Sequence, residues 1–200
     1  MQGRRRGVAG TTAVALAALL VASCSDDTPS TPTTTSAPST TTPSPSPTPT
    51  ATPTADLNVP PARPEAMTTP GDEGAAAAAS YFISLYPYIY ATGDFSEWDA
   101  LSAPECEFCS ESRADVERML NAGNRTTGAP IEILSSSGIK LSDEWYSAKL
   151  RVRQAEGSEV DSSGAVVSSN PVGVFDFDFA MSWVDGWRID SVGIVPVEEG

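Results

Sequence analysis

A tract made almost wholly of serine, threonine and proline limits where this 200-residue chain can fold. Between residues 28 and 54, every residue except two alanines is one of these three, and none is charged. Such a segment cannot bury enough apolar surface to offset the entropy that is lost on ordering. We therefore predict a disordered tether over residues 24–71 and a single folded domain over residues 72–200. The same composition is typical of bare linkers and of O-glycosylated stalks alike.

The first 23 residues have the layout of an export signal. Three consecutive arginines from Arg4 precede an apolar run from Val8 to Val21, and two small residues separate this run from Cys24. The run is shorter than the ~20 apolar residues that a spanning helix needs. This arrangement resembles a bacterial lipobox, which implies a palmitate-type lipid on Cys24 of a lipoprotein at the outer face of the cell membrane. An ordinary secretory signal and an uncleaved anchor are the alternatives.

The charge of the chain excludes several classes of partner. The net charge is −14, and removal of residues 1–23 would take away three arginines and no acid, leaving −17. So acidic a protein is not suited to hold nucleic-acid phosphates or to bind anionic lipid through charge. The chain contains no histidine, which excludes Ser-His and Cys-His nucleophiles and removes the commonest metal ligand. We predict no nucleic-acid partner, no metal and no cofactor.

Helical patterns occupy the first part of the domain. Residues 72–91 begin with two acids and an alanine run and then repeat apolar residues at intervals of three and four, which predicts a first helix. A short second helix is expected to end at Leu101, and a third to cover residues 110–122, before Gly123. About three helices therefore precede the strands.

Two cysteines stand in front of the third predicted helix. In an exported chain whose Cys24 carries lipid, Cys106 and Cys109 are expected to form a structural disulfide. A thioredoxin-like redox pair would need a preceding strand, and a zinc site would need four ligands. Because the closed loop is so short, the disulfide contributes only about 2 kcal/mol and chiefly fixes the turn into the helix.

Apolar residues alternate with polar ones from residue 129 onward, which predicts about four antiparallel strands. In the segment 145–154, apolar residues share one face and three cations share the other. In the segment 172–184, aromatic residues occupy one face, and Asp176 and Asp178 occupy the other. We expect these aspartates to point away from the core and pair with the cations. Helices segregated from antiparallel strands indicate an α+β fold with helices on one sheet face.

This pattern resembles the nuclear transport factor 2-like superfamily, which includes cystatin-like and SnoaL-like domains. The residues that carry the resemblance are Tyr90-Ala91-Thr92-Gly93-Asp94, Leu101-Ser102 and the hairpin Trp183-Val184-Asp185-Gly186-Trp187-Arg188-Ile189. Together with the lipobox, the tether and the Cys-x-x-Cys pair, the chain looks like an uncharacterised family of actinobacterial lipoproteins. The resemblance implies a cone-shaped domain but assigns no activity.

The resemblance also implies a site at the mouth of the cone, where aromatic side chains would meet a ligand. The candidate lining residues are Tyr81, Tyr88, Phe177, Phe179 and Trp183. We predict no catalytic residue and favour a non-catalytic domain that binds an envelope protein, a wall polymer or a small apolar ligand. The alternatives are a small isomerase or hydratase that uses a cone Asp or Tyr, and a purely architectural protein. A homodimer through the outer sheet face is a further expectation.

Overall fold

The computed structural model describes residues 56–197 of the chain. The predicted signal, Cys24 and the tether up to residue 55 lie outside the described residues. After a short 3-10 helix at Glu65–Thr68, the described elements are α1 (Asp72–Thr92), α2 (Ser96–Leu101), α3 (Glu107–Asn121), β1 (Arg125–Thr126), β2 (Ile131–Lys140), β3 (Trp145–Gln154), β4 (Ser158–Val160), β5 (Val166–Ser169), β6 (Gly173–Trp183) and β7 (Trp187–Val197). No described helix is both long enough and apolar enough to cross a membrane.

The strands form two antiparallel sheets rather than the one sheet of about four strands that the sequence predicts. The larger sheet has the order β2-β3-β6-β7, and the smaller has the order β1-β4-β5. The α+β class is confirmed, whereas the strand number is wrong because residues 56–197 contain seven strands. The missed strands are short, and all four residues of β5 are exposed, so they lack the alternation that identifies a half-buried strand.

α1 begins in direct contact with the backbone of β2. A Cβ atom added to Gly138 would lie 2.1 Å from the carbonyl oxygen of Asp72 and 2.8 Å from the amide nitrogen of Ala76. The Lys140 amide donates a hydrogen bond of 2.6 Å to Asp72 Oδ1 in the same place. The buried face of this first half of α1 is built from small residues, of which Ala75 is fully buried. Glycine and alanine therefore allow the helix to lie close on the sheet.

The second half of α1 carries large side chains that fill the core. Phe82 stacks on Trp98 of α2, with ring centroids 4.1 Å apart, and meets Phe179 of β6 edge-on at 6.4 Å. The Trp98 indole also donates a hydrogen bond of 3.1 Å to the carbonyl oxygen of Cys109. All three aromatic rings are at most 2% exposed. These bulky residues require more space between the later part of α1 and the sheet than the alanine-rich start does.

The predicted disulfide is present. Cys106 and Cys109 are bonded, and Cys106 is the N-cap residue of α3. Both cysteines are buried, at 0% and 2% exposure, which supports a structural role in fixing the start of the helix. α3 consequently begins at Glu107, three residues earlier than the sequence pattern predicts.

Residues that precede α1 also pack on the domain. Met67 is buried, and its carbonyl oxygen accepts a hydrogen bond of 2.9 Å from the Trp187 indole. The Arg63 guanidinium forms an ion pair with Glu97, with Nε 2.6 Å from Oε2. The chain is thus attached to the domain at two points before its first α-helix begins.

A bulge in β7 places one carboxylate in an unusual position. Ile189 pairs with Met181 and Ser191 pairs with Ala180, so Asp190 between them has no partner in the ladder. Its Oδ2 atom is buried and accepts no hydrogen bond from any described residue. Burial raises the pKa of the Asp190 carboxyl, partly offset by the nearby Ser182 hydroxyl.

We expect Gly138→Ala to lower the free energy of unfolding by at least about 2 kcal/mol, because the new methyl group would collide with the α1 backbone. Gly193→Ala is the matched control in the same sheet, since its Cβ would meet nothing closer than 3.9 Å. The control should change stability by no more than about 0.5 kcal/mol. Urea denaturation of both variants measures the difference, and equal stabilities would contradict the close approach.

We expect Asp190→Asn to stabilise the protein at pH 7 and to do so progressively less as the pH falls toward about 4. A raised pKa means that the folded chain binds the proton more tightly, so this contribution to stability is lost as the pH rises through the folded pKa. The amide removes the charge that is disfavoured by burial. Urea denaturation between pH 4 and pH 7 tests this, with Glu111→Gln as a control for losing one exposed negative charge. A stability difference independent of pH would refute the interpretation.

Candidate binding site

A cavity of about 160 Å³ opens at the end of the larger sheet that lies away from Gly138. At this end β2 and β6 begin and β3 and β7 finish, and the second half of α1 and the start of α3 lie over them. The lining residues are Ile83, Tyr86, Phe108, Ile131, Gln154, Asn170, Pro171, Phe175, Phe177 and Ile194. The cavity therefore lies beside the part of α1 that carries bulky side chains.

Aromatic rings from three elements form the walls of the cavity. Tyr86 of α1 and Phe108 of α3 are nearly parallel, with ring centroids 6.1 Å apart. Phe108 in turn meets Phe177 of β6 edge-on at 6.5 Å. Carboxamides of Gln154 and Asn170 supply polar groups, and Gln154 Nε2 donates a hydrogen bond of 2.7 Å to the carbonyl oxygen of Pro171. Apolar walls with a few polar groups are typical of sites that bind small molecules or inserted side chains.

The cavity is electrically neutral. Among the described residues that line it, the one titratable group is the phenol of Tyr86. Burial raises the pKa of this phenol, whose ordinary value is already about 10, so it is uncharged at pH 7. Its hydroxyl lies 3.4 Å from that of Tyr90. A neutral, aromatic-walled cavity favours an apolar ligand group.

The strand carboxylates lie on the opposite face of the sheet from the cavity, as the sequence predicts. Asp176 accepts two hydrogen bonds from Arg151, of 2.7 and 2.8 Å, and this cation lowers the pKa of the Asp176 carboxyl. Asp178 Oδ1 accepts a hydrogen bond from the Lys149 ammonium. The predicted cross-strand pairing of these aspartates is confirmed, and it keeps both of them away from the cavity.

Of the five residues predicted to line a pocket, Phe177 lines this cavity and the other four do not. Phe179 is two residues farther along β6 and is buried in the core at 2% exposure. The Tyr81 hydroxyl donates to Glu97 at 2.9 Å, and burial, with this acid, raises the pKa of Tyr81 to about 12. The Tyr88 hydroxyl donates to Asp94 at 2.9 Å. Trp183 packs on Trp187 at the other end of the sheet, with ring centroids 5.1 Å apart.

Sequence reasoning missed the tyrosine that does line the cavity. Tyr86 follows Phe82 by four residues, so the helical period places both on neighbouring positions of one face. Phe175 likewise precedes Phe177 by two residues on the same strand face. The spacing of four residues in the helix and of two residues in the strand therefore predicts that Tyr86 and Phe175 lie beside Phe82 and Phe177. Ile131 and Pro171 come from distant segments, and no local pattern brings them to the cavity.

Three solved structures resemble this fold at low sequence identity. The intermembrane space region of the chloroplast protein ARC6 has a TM-score of 0.49 and 9% identity, and the alignment covers 64% of this chain and 99% of that structure. An uncharacterised protein with a cystatin-like fold from Caulobacter vibrioides has a TM-score of 0.42 and 11% identity, with coverages of 62% and 91%. Aln2 from a Streptomyces species has a TM-score of 0.39 and 14% identity, with coverages of 60% and 88%. These similarities are too distant to inform function.

The sequence matches no curated protein. Residues 31–193, however, match a family of unknown function, DUF6318. This match includes all of the helices and almost all of the strands described above. The chain therefore belongs to the DUF6318 family.

Proposed function

We propose that this protein is a lipid-anchored binding module of the cell envelope, held at the outer face of the membrane through Cys24. In this proposal, a flexible tether presents a nuclear transport factor 2-like domain that binds its partner non-catalytically. The observation that carries the binding role is the neutral, aromatic-walled cavity at one end of the sheet. The acidic sequence supports the anchor, because a chain of net charge −14 has no electrostatic reason to approach anionic lipid.

The size of the cavity indicates what it takes in. A volume of about 160 Å³ is smaller than the ~300–1,000 Å³ of sites that enclose a whole drug-sized ligand. It suits one aliphatic side chain or one small ring, whose burial would contribute about 1.5–3 kcal/mol. The carboxamides of Gln154 and Asn170 are placed to hydrogen-bond the polar atoms attached to that group. The proposed ligand is thus an apolar group carried on a polar backbone, such as a hydrophobic residue of an envelope protein.

The arrangement of elements supports the nuclear transport factor 2-like assignment. Helices precede the strands, and α1 lies on the face of the larger sheet that carries the phenylalanines of β6. Irregular pairing in β2 and between β6 and β7 marks bulges, which bend strands and give a sheet the curvature that a cone needs. The cavity at one end corresponds to the mouth of such a cone.

An isomerase or hydratase is less well supported by this geometry. Such an enzyme would need an acid or base inside the cone, and the described lining offers one phenol with a raised pKa. Asp176 and Asp178 are held on the opposite face by Arg151 and Lys149. Binding without chemistry is therefore the function that the cavity supports best.

The tether would set how far from the membrane the domain works. About 31 residues separate Cys24 from Asp56, where the described part begins. At ~3.1 Å per residue in a proline-rich extended chain, this segment would reach about 95 Å. The proposed partner therefore lies within the envelope at some distance from the lipid surface.

We expect Ile194→Trp to block the cavity, because this strand residue is 43% exposed at its mouth. Binding of toluene, a neutral probe with one small ring, should weaken about tenfold in a titration followed by NMR, which corresponds to a loss of ~1.4 kcal/mol. Leu120→Trp on α3 is the matched control, since Leu120 is also 43% exposed but does not line the cavity. Equal binding by both variants would show that the probe binds elsewhere.

The Ile194→Trp and Leu120→Trp variants also test whether the cavity binds a partner in the envelope. A photo-crosslinking phenylalanine analogue at Phe175 should yield a discrete adduct that Ile194→Trp abolishes and Leu120→Trp leaves in place. The same analogue at position 120 should give no such adduct. A cavity that gives no adduct under these conditions would argue for the architectural alternative.

We expect Cys24→Ala to abolish incorporation of an alkyne-labelled fatty acid and either to release the protein into the medium or to leave its signal uncleaved. The reason is that only the thiol at this position can accept the proposed lipid. Ser25→Ala, one residue farther along, should remain labelled and in the membrane fraction. Undiminished labelling of the Cys24→Ala variant would refute the proposed lipid attachment at Cys24.

A further inference from the structure

The face of the larger sheet that points away from α1, called the outer face here, carries exposed apolar residues. Strand register and alternation place four large ones there, each more than half exposed: Ile139, Leu141, Trp145 and Val195. None of the described helices covers this face, because α1 packs on the other side. Exposed apolar groups on one uncovered sheet face are typical of an interaction site.

The outer face also carries an ordered set of charges of both signs. Three of its cations, Lys149, Arg151 and Arg153, lie on β3, whereas two of its acids, Asp176 and Asp178, lie on β6. Glu132 on β2 supplies the third acid and lies 2.5 Å from Arg153. Arg188 of β7, in register with Ser182, is a fourth cation on this face, so the charges nearly balance there on a chain whose net charge is −14. A second copy of this acidic chain would meet less repulsion here than at most of its surface.

We propose that the outer face binds a second copy of the same chain through a two-fold axis parallel to the strands, between β3 and β6. Such a rotation places β3 of one copy over β6 of the other. Each residue then faces the residue of the second copy that corresponds to its own register partner. Because Lys149 is in register with Asp178 and Arg151 with Asp176, each of these two cations then faces an acid of the second copy, whereas Arg153 faces Val174. This proposal goes beyond the binding function of the cavity and does not depend on it.

The same rotation sets the partners of the two outer strands. It brings β2 over β7, so Ser137 faces Gly193 and Ser135 faces Val195 of the second copy. The row that contains Ser147 and Ala180 consists of small side chains at its centre, which permits sheets to approach to about 10 Å. A two-fold axis across the strands would instead stack β3 on β3, cation over cation. Charge complementarity thus selects the axis parallel to the strands.

The face is large enough for a dimer. Four strands about 4.8 Å apart and about ten residues long form a surface of roughly 19 by 34 Å, or ~650 Å² per copy. A standard stable interface buries about 800 Å² per partner. Side chains that project from the sheet, Trp145 above all, add to the flat area. Because the cavity opens on the α1 side, both copies would keep it accessible.

A charge-exchange experiment tests the arrangement with the full-length chain in detergent, by sedimentation equilibrium. Lys149→Asp and Asp178→Lys should each weaken self-association at least about tenfold, because like charges then meet across the axis. An equimolar mixture of the two variants should restore dimers. In the mixed pair, every changed residue faces an opposite charge on the other chain. A defect in folding cannot be rescued in this way.

Two further variants test the surface independently of its charges. Ala180→Arg should prevent association, since this exposed residue lies at the centre of the face. Ala114→Arg on α3 makes the same change at another exposed position and should leave the dimer intact. A wild-type chain that is monomeric at about 100 µM would overturn the proposal, because specific interfaces of this size have dissociation constants in the micromolar range or below. So would a dimer unaffected by Ala180→Arg, or a mixture of the charge variants that stays monomeric.

Discussion

The close contact between the start of α1 and Gly138 determines where this fold is closed and where it is open. At this point the helix backbone lies against the strand backbone, and the space at the Gly138 Cα admits a hydrogen atom but no methyl group. Farther along, Phe82 and Tyr86 replace the alanines and require more space between helix and sheet. A helix fixed at one end and held off at the other leaves a gap at the second end. The aromatic cavity is a consequence of this gradient in side-chain size.

The alternation of residues along β3 and β6 gives the two faces of one sheet different properties. Leu150 and Phe177 point toward the helices, whereas Arg151 and Asp176 point away from them. Slipping either strand by one residue would bring charges into the core, so the register is strongly determined. The core, the cavity and the charged outer face therefore depend on the same pairing.

Local patterns in the sequence were sufficient for the helices, the disulfide and the direction of the strand carboxylates. α1 begins at Asp72 because acids and alanines favour a helix start there. Cys106 and Cys109 are three residues apart, and their Cα atoms lie 5.2 Å from each other, within the range of a disulfide. The cavity could not be located in this way. Tyr81 was a reasonable candidate on its helix, but Glu97 of α2 covers that side, and only the tertiary packing determines this. β4 and β5 have too little buried surface to leave a periodic signal.

The attachment of residues 63–67 to the domain has a mechanical consequence. A pull on the chain from the side of residue 56 reaches the Arg63–Glu97 ion pair and then the Met67–Trp187 hydrogen bond before it reaches α1. Trp187 belongs to β7, so this force passes into the sheet rather than unwinding the helix from its first turn. A domain joined to its surroundings by one end of the chain would in this way resist drag or stretching without losing the contact at Gly138. The contacts of the short segment before α1 would thus bear load before the helix does.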